Sequence, residues 1–408
     1  MGSREWLELD KEYLAEVLPR YNDIVAASGK GSWLTDVDGN VYLDMGSGIA
    51  TNSTGHCHPH VVNAAQVQLA TLMHTSVTAH NPVTIELAGR LGSLTHFEEP
   101  QVFFSNSGAE AVDGALKLAR RVTGQSGVVS FQGAFHGRTV AATSLTTSKG
   151  KYRQGYSPFL PYVFHAPYGE HLDIVEEIAS CGPPRFPYKL GAVIVEPILG
   201  EGGYVVPDRE WLVGLRRICD ARGALLIFDE VQTGIYRTGF PFAAQYFGVE
   251  PDVILFAKGV ASGLPLGGII AEKETMRYWH EGAHGSTFGG NPVSCSAALA
   301  TLDVLETLDT QIKIYGAHAR TRLRAEQPYP VRGVGLMIGI EFPDGKTAKA
   351  VVEQCRIKGV IVLTCGKEDN IIRLVPPLTI TDSELNYGLD VLIKEINENS
   401  DNEDEHRD

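Results

Sequence analysis

The sequence lacks any apolar run approaching the ~18 residues of a membrane span, so no membrane-crossing helix is expected. Nor does it open on a secretory pattern. Met1-Gly2-Ser3-Arg4-Glu5-Trp6 leads into a charged, helix-like segment with no apolar core or small-residue cleavage site, which makes the cytoplasm the expected compartment. Positive charge is scarce: 35 Lys and Arg face 49 Asp and Glu, a net charge of -14, and no basic cluster is present to bind nucleic acid phosphates. Cysteine is sparse and scattered. Cys57, Cys181, Cys219, Cys295, Cys355 and Cys365 include no C-x-x-C pair, which excludes a disulfide frame and fits reduced thiols. There is no internal repeat, and the polar tail 397–408 is expected to fray.

The 408 residues, 43% of them hydrophobic, are too many for one core and fit a large domain with a smaller one. Short apolar runs at Ala192–Val195, Leu225–Phe228, Val253–Phe256 and Gly267–Ala271 read as strands buried on both faces. Between the first two, Asp208 is placed to cap a helix whose Trp211, Leu215 and Ile218 share a face, and Gly223 follows its end. A strand, helix, strand unit of this length makes parallel neighbours, so an α/β fold with a mainly parallel sheet is expected, its ligand at the carboxyl ends of the strands. Around Val37-Asp38-Gly39-Asn40, Trp33–Asp36 and Val41–Asp44 read as a hairpin. Val334–Phe342, Val360–Thr364 and Ile371–Val375 read as strands of a small α+β domain, and Thr381-Asp382-Ser383-Glu384 as a capping box. The expected division is an N-terminal segment 1–48 joining the small domain, a large domain 49–299 and a small domain 300–408. Long ordered loops are expected in Gly150–Tyr188.

Two of these strands end on reactive groups. Asp229 closes one and Lys258 follows another, which is the carboxylate and amine that a pyridoxal phosphate site requires. Ser107-Gly108-Ala109, between a strand and a helix whose Ala111, Ala115 and Leu118 share a face, offers free amides for a phosphate, although taken alone it fits an ordinary capped helix better. His56, Cys57, His58 and His60 are donors suited to zinc or copper, yet they fall within one short segment beside Pro59 with no distant partner, and no metal site is expected.

Taken in order, Phe103–Glu110, Phe131–Thr139, Val195–Gly203, Asp229–Gly234, Phe256–Gly268 and Gly285–Pro292 resemble the class III pyridoxal phosphate aminotransferases, from about Trp33 to Thr381. The resemblance implies the fold type I architecture and a set of roles. Lys258 would form the Schiff base and carry the proton; Asp229 would hold the pyridine nitrogen protonated. Ser107, Gly108 and Ala109 would bind the phosphate, Phe135 and Val231 would cover the two ring faces, and Gln232, Glu196 and His136 would complete the pocket. Thr287 would reach the phosphate of a neighbouring subunit, implying a homodimer or a tetramer built from such dimers.

For the substrates the resemblance implies Ile49 as an apolar wall, Arg138 and Arg373 as carboxylate readers, and Glu201 as the acid that covers Arg373 in one half-reaction and frees it in the other. The expected reaction is ping-pong transfer from an ω-amino acid or amine, 4-aminobutyrate first, to 2-oxoglutarate. Ile49 and Ala109–Asp113 favour that donor, with Asp113 where glutamate is usual. Acetylornithine and ornithine aminotransferases share Arg138, Glu201 and Arg373 and are alternatives, as is a broad amine transaminase. An aminomutase or racemase would keep Lys258 and Asp229 without an external keto acid, and a noncatalytic binding protein would need neither.

Overall fold

A computed structural model describes residues 1–182 and 188–405. At its centre is a seven-stranded sheet in the order Pro100–Ser105, Gly267–Glu272, Val253–Phe256, Leu225–Asp229, Leu190–Val195, Gly127–Phe131, Val163–Ala166. Its central strands are buried along their whole length, as continuous Val, Ile and Leu runs require when both faces are covered. The four strands from Val163–Ala166 to Leu225–Asp229 and their neighbour Val253–Phe256 are parallel; Gly267–Glu272 alone runs antiparallel to both strands beside it. Helix Arg209–Arg222 buries Trp211, Leu215 and Ile218 and stops at Gly223, whose φ of 63° is left-handed. Asp208 precedes it with extended backbone but without a side-chain capping bond.

Two four-stranded sheets flank this one. The first joins Ala26–Lys30, Trp33–Asp36 and Val41–Asp44 to Val360–Ile361, which pairs parallel to Val41–Asp44. The Asp-Gly turn forms with Gly39 at φ 88°, and Asp36 accepts from the amides of Asp38 and Asn40. The second is antiparallel: Val331–Val334, Met337–Glu341, Ile371–Leu374, Leu363–Cys365. Two expected strands are thus each broken in two. Val334–Phe342 folds at Gly335, whose φ is 56°, into a hairpin, and Val360–Thr364 hands its two halves to different sheets. The stretch Gly150–Tyr188 holds the expected ordered loops and, between them, a strand, Val163–Ala166, and a helix, Leu172–Ser180; residues 183–187 lie outside the described residues. The tail also departs from expectation, because helix Asp382–Glu405 continues through it; residues 406–408 lie outside the described residues.

The capping box at the start of that last helix reaches beyond its own turn. Glu384 accepts from the Thr381 amide at 2.9 Å, and Thr381 Oγ1 accepts from the Glu384 amide at 3.3 Å. The same carboxylate takes Trp33 Nε1 at 2.7 Å and Ser32 Oγ at 3.2 Å, fastening the N-terminal hairpin to the C-terminal helix. Burial raises the Glu384 pKa, but the Thr381, Trp33 and Ser32 donors outweigh it and the net shift is downward. A depressed carboxylate stabilises the fold above its ordinary range and loses that contribution as the pH falls through it. Replacing Glu384→Gln should therefore cost about 1–2 kcal/mol at neutral pH in urea unfolding, and the gap between variant and wild type should close as the medium is acidified.

Candidate active site

Parallel strands present all their carboxyl ends at one edge of the sheet, and there the chain encloses a cavity of about 490 Å³. Strand Pro100–Ser105 ends at Asn106-Ser107 and enters helix Gly108–Thr123. Ser107 caps that helix by accepting the Glu110 amide at 3.3 Å, and the first ladder bond runs from Ala111 N to Ser107 O. The amides of Gly108 and Ala109 precede that bond, and both residues line the cavity, so the positive end of the helix lies there. Glu110 turns back to accept from Asn106 N at 2.7 Å, which fixes the turn. A Cβ on Gly108 would stand 2.9 Å from Val231, so glycine leaves room for the valine that forms one apolar wall. Phe135, edge-on to Tyr152 at 5.5 Å, lines another part of the cavity.

Asp229, only 4% exposed, closes strand Leu225–Asp229 and divides its oxygens. Oδ1 accepts the Val231 amide at 3.1 Å, and Oδ2 lies 2.7 Å from His136 Nδ1. A carboxylate in its ionised form only accepts, which would place a proton on Nδ1; His136 Nε2 is buried without a partner among the described residues. Glu196 accepts from Phe135 N at 2.7 Å and Gly200 N at 2.9 Å. Burial pushes this acid up to about 7, with Asp229 adding to the shift and His136 and the two amides opposing it. Gln232 is buried beside it, and a Cβ on Gly200 would meet Gln232 Oε1 at 2.1 Å.

Lys258 follows strand Val253–Phe256 in a strained backbone, φ 45°, that turns its side chain into the cavity. No hydrogen bond or ion pair engages its Nζ among the described residues. Burial lowers its pKa and the Arg373 charge lowers it further, against the pull of Glu196, Asp229 and Glu201. The net shift is downward, toward the neutral form that a proton-accepting amine needs.

At the substrate end, Arg373 projects from strand Ile371–Leu374 and is 1% exposed. Its Nη1 donates to Glu201 Oε2 at 2.9 Å and its Nη2 to Tyr21 Oη at 3.1 Å. Arg138 differs sharply: it is exposed, stacks 4.7 Å over the Tyr152 ring and 6.0 Å over Phe135, and has no carboxylate partner among the described residues. Ile49 reaches the cavity from a left-handed turn, with φ 41° at Ser47 and 62° at Gly48, Ile49 and Ala50. Such a turn costs ~1–2 kcal/mol for each residue bearing a Cβ. Asp44 holds its entry by accepting from Gly46 N and Ser47 N.

One expected site residue stands apart. Thr287 is exposed and does not line the cavity of its own chain, although Ser286 beside it accepts from Asn106 Nδ2 at 3.1 Å. The His56–His60 cluster is dispersed into separate contacts: His56 Nε2 lies 2.8 Å from Asp44 and His60 Nε2 lies 3.2 Å from Asp303. Tyr21, Lys149 and Tyr152 also meet at the Glu201–Arg373 pair, and no sequence motif marks them: Tyr21 and Lys149 lie in loops, and Tyr152 ends the short 3-10 turn Gly150–Tyr152.

The donor set suits pyridoxal phosphate. Unpaired helix amides can take its phosphate, Asp229 its pyridine nitrogen and Lys258 its aldehyde, and the apolar side chains of Phe135 and Val231 can border its ring. Because any Cβ at position 108 presses on Val231, Gly108→Ala should weaken cofactor retention by ~10-fold or more in equilibrium dialysis while leaving the thermal unfolding of the apoprotein nearly unchanged.

The family model for aminotransferase class-III matches residues 17–396. The acetylornithine aminotransferase of Methanothermobacter thermautotrophicus is 40% identical over 400 residues, 96% of this chain and 98% of that protein. The 4-aminobutyrate aminotransferase of Mycobacterium bovis is 39% identical over 406 residues, 90% of each. Among solved structures, the ornithine aminotransferase from Toxoplasma gondii superimposes with a TM-score of 0.91 at 30% identity, covering 98% of this chain and 96% of that one. With strand order, cavity and sequence in agreement, the chain belongs to the class III aminotransferases and is an enzyme whose cofactor is pyridoxal phosphate.

Proposed function

We propose that this aminotransferase takes the ω-amino group of N-acetylornithine and delivers it to 2-oxoglutarate in two successive half-reactions. The observation that carries the reading is the unequal state of the two arginines: Arg138 is free at the cavity, whereas Arg373 is covered by Glu201 at 2.9 Å. A donor with a single carboxylate needs one guanidinium, and Arg138 supplies it. The acceptor has two carboxylates and needs the second, which becomes available when Glu201 withdraws. A permanently unpaired buried arginine would be costly, so the cover is removable rather than absent.

The choice among donors rests on charge and on the relatives. Free ornithine brings an α-ammonium that requires an acid, yet Glu201 is committed to Arg373 and Lys149. Acetylation removes that charge. Relatives named acetylornithine aminotransferase at 38–42% identity shift the balance away from 4-aminobutyrate, the donor first expected from Ile49 and Ala109–Asp113. That donor remains the second reading, supported by the 39% identical relative.

Bound in the cavity, pyridoxal phosphate supplies an aldehyde that captures amines and a ring that holds electrons. The chain's residues supply the rest. Lys258 Nζ, its pKa lowered by burial, takes and returns the proton at the substrate carbon. Asp229, kept oriented by His136 and the Val231 amide, holds a proton on the pyridine nitrogen through its negative charge. Ser107, Gly108 and Ala109 would hold the phosphate, Phe135 and Val231 would border the ring, Gln232 and Glu196 would lie on its hydroxyl side, and Ile49 would border the aliphatic chain of the donor. Thr287 serves a second copy of the chain, a reading supported by its exposure and by its not lining the cavity of its own chain.

Adding amines in turn to the holoenzyme and following its visible absorbance should show N-acetylornithine discharging the cofactor at least ~10-fold faster, by kcat/KM, than ornithine or 4-aminobutyrate, with 2-oxoglutarate restoring the spectrum. Preference for 4-aminobutyrate would overturn the donor assignment in favour of the second reading. Mixing inactive Thr287→Ala and Lys258→Ala proteins should regain roughly a quarter of wild-type activity, because half the exchanged dimers carry one intact shared site. No recovery would show that Thr287 does not act across an interface.

A further inference from the structure

Glu201 is shared between two buried cations. Its Oε2 accepts from Arg373 Nη1 at 2.9 Å, while Oε1 lies 2.9 Å from Lys149 Nζ and 3.3 Å from Tyr152 Oη. Lys149 is only 6% exposed and its ammonium also pairs with Asp369. Nothing in the two-arginine scheme requires this lysine. It follows helix Val140–Leu145, well separated in sequence from both Glu201 and Arg373, yet the fold has paired its charge on two sides.

The opening of Arg373 poses a problem that Lys149 can solve. When a second substrate carboxylate claims Arg373, Glu201 must leave its partner while remaining in a buried pocket. A carboxylate stranded there would lose its compensation and repel the incoming anion. Oε1 already rests on Lys149, so a rotation of the Glu201 side chain can transfer its other oxygen without an unpaired interval. The backbone stays fixed meanwhile, since Glu201 O accepts from Gly366 N at 2.8 Å. Asp369, itself 3.5 Å from Lys349, keeps Lys149 extended toward Glu201.

We propose that Lys149 is a positioning residue that holds Glu201 in its withdrawn state, and so sets how readily the site switches from the ω-amino donor to the dicarboxylate. It acts through Glu201 and bonds no substrate. This rests on the two-half-reaction reading above and adds to it the residue that makes the switch cheap. Burial pulls the lysine's pKa down, but Glu201 and Asp369 more than reverse this, so its charge is retained at any pH where the enzyme would work.

Single-turnover rates of the holoenzyme, read from cofactor absorbance for donor and for 2-oxoglutarate separately, test the proposal. In Lys149→Met the ratio of acceptor to donor kcat/KM should fall at least ~30-fold, and Lys149→Arg should recover most of it. In a Glu201→Gln background there is no charge to catch, and the same Lys149→Met change should move the ratio less than ~3-fold. A ratio unmoved by Lys149→Met, or a fall that persists undiminished beside Glu201→Gln, would overturn the proposal; the latter would make Lys149 a direct carboxylate ligand. Lys149→Gln replaces the methionine variant should that fail to fold. If wild type refuses N-acetylornithine but accepts another ω-amine, the donor assignment fails while the ratio, measured with that amine, still judges Lys149.

Discussion

The site depends on the shared direction of the central strands. A sheet buried on both faces cannot place polar groups along its length, so chemistry is confined to where strands stop, and parallel strands stop together. Ser107, His136, Glu196, Asp229 and Lys258 come from five separate crossings of the chain and meet at one edge for that reason. The single reversed strand, Gly267–Glu272, closes the sheet between the Lys258 strand and the Ser107 strand and begins at the same edge.

Within the cavity, burial is turned to opposite uses. Low polarity lowers the pKa of Lys258 and raises that of Glu196, both toward neutral forms, whereas Asp229 is given His136 and an amide. Farther out, charge is preserved by pairing: Arg373, Glu201, Lys149 and Asp369 alternate in sign through the wall. An exchange of partners within this wall would expose no bare charge, which is what the proposed alternation between donor and acceptor requires.

Some features were legible because local chemistry had only one outcome. The Asp-Gly turn, the Gly223 stop and the Thr381–Glu384 box form where their residues dictate, each settled within a few residues. Val334–Phe342 misled because hydrophobic continuity hid Gly335, whose freedom to turn mattered more than the apolar residues around it. Val360–Thr364 misled for another reason: no local signal says that adjacent residues will join different sheets. The tail's polar composition pointed to fraying, yet the helix that buries Leu385, Leu389, Leu392 and Ile396 carries on into it.

The sequence alone determined the motifs and the class of chemistry, since an amine and a carboxylate after buried strands, with a phosphate turn upstream, need only short-range order to be read. Tertiary structure decided which groups share an environment. Tyr21, Lys149 and Asp369 are unremarkable along the chain and become part of the Arg373 wall only when distant loops converge. Charge pairing in a buried site is a property of space, falling off over a few ångströms, and sequence separation carries no record of it.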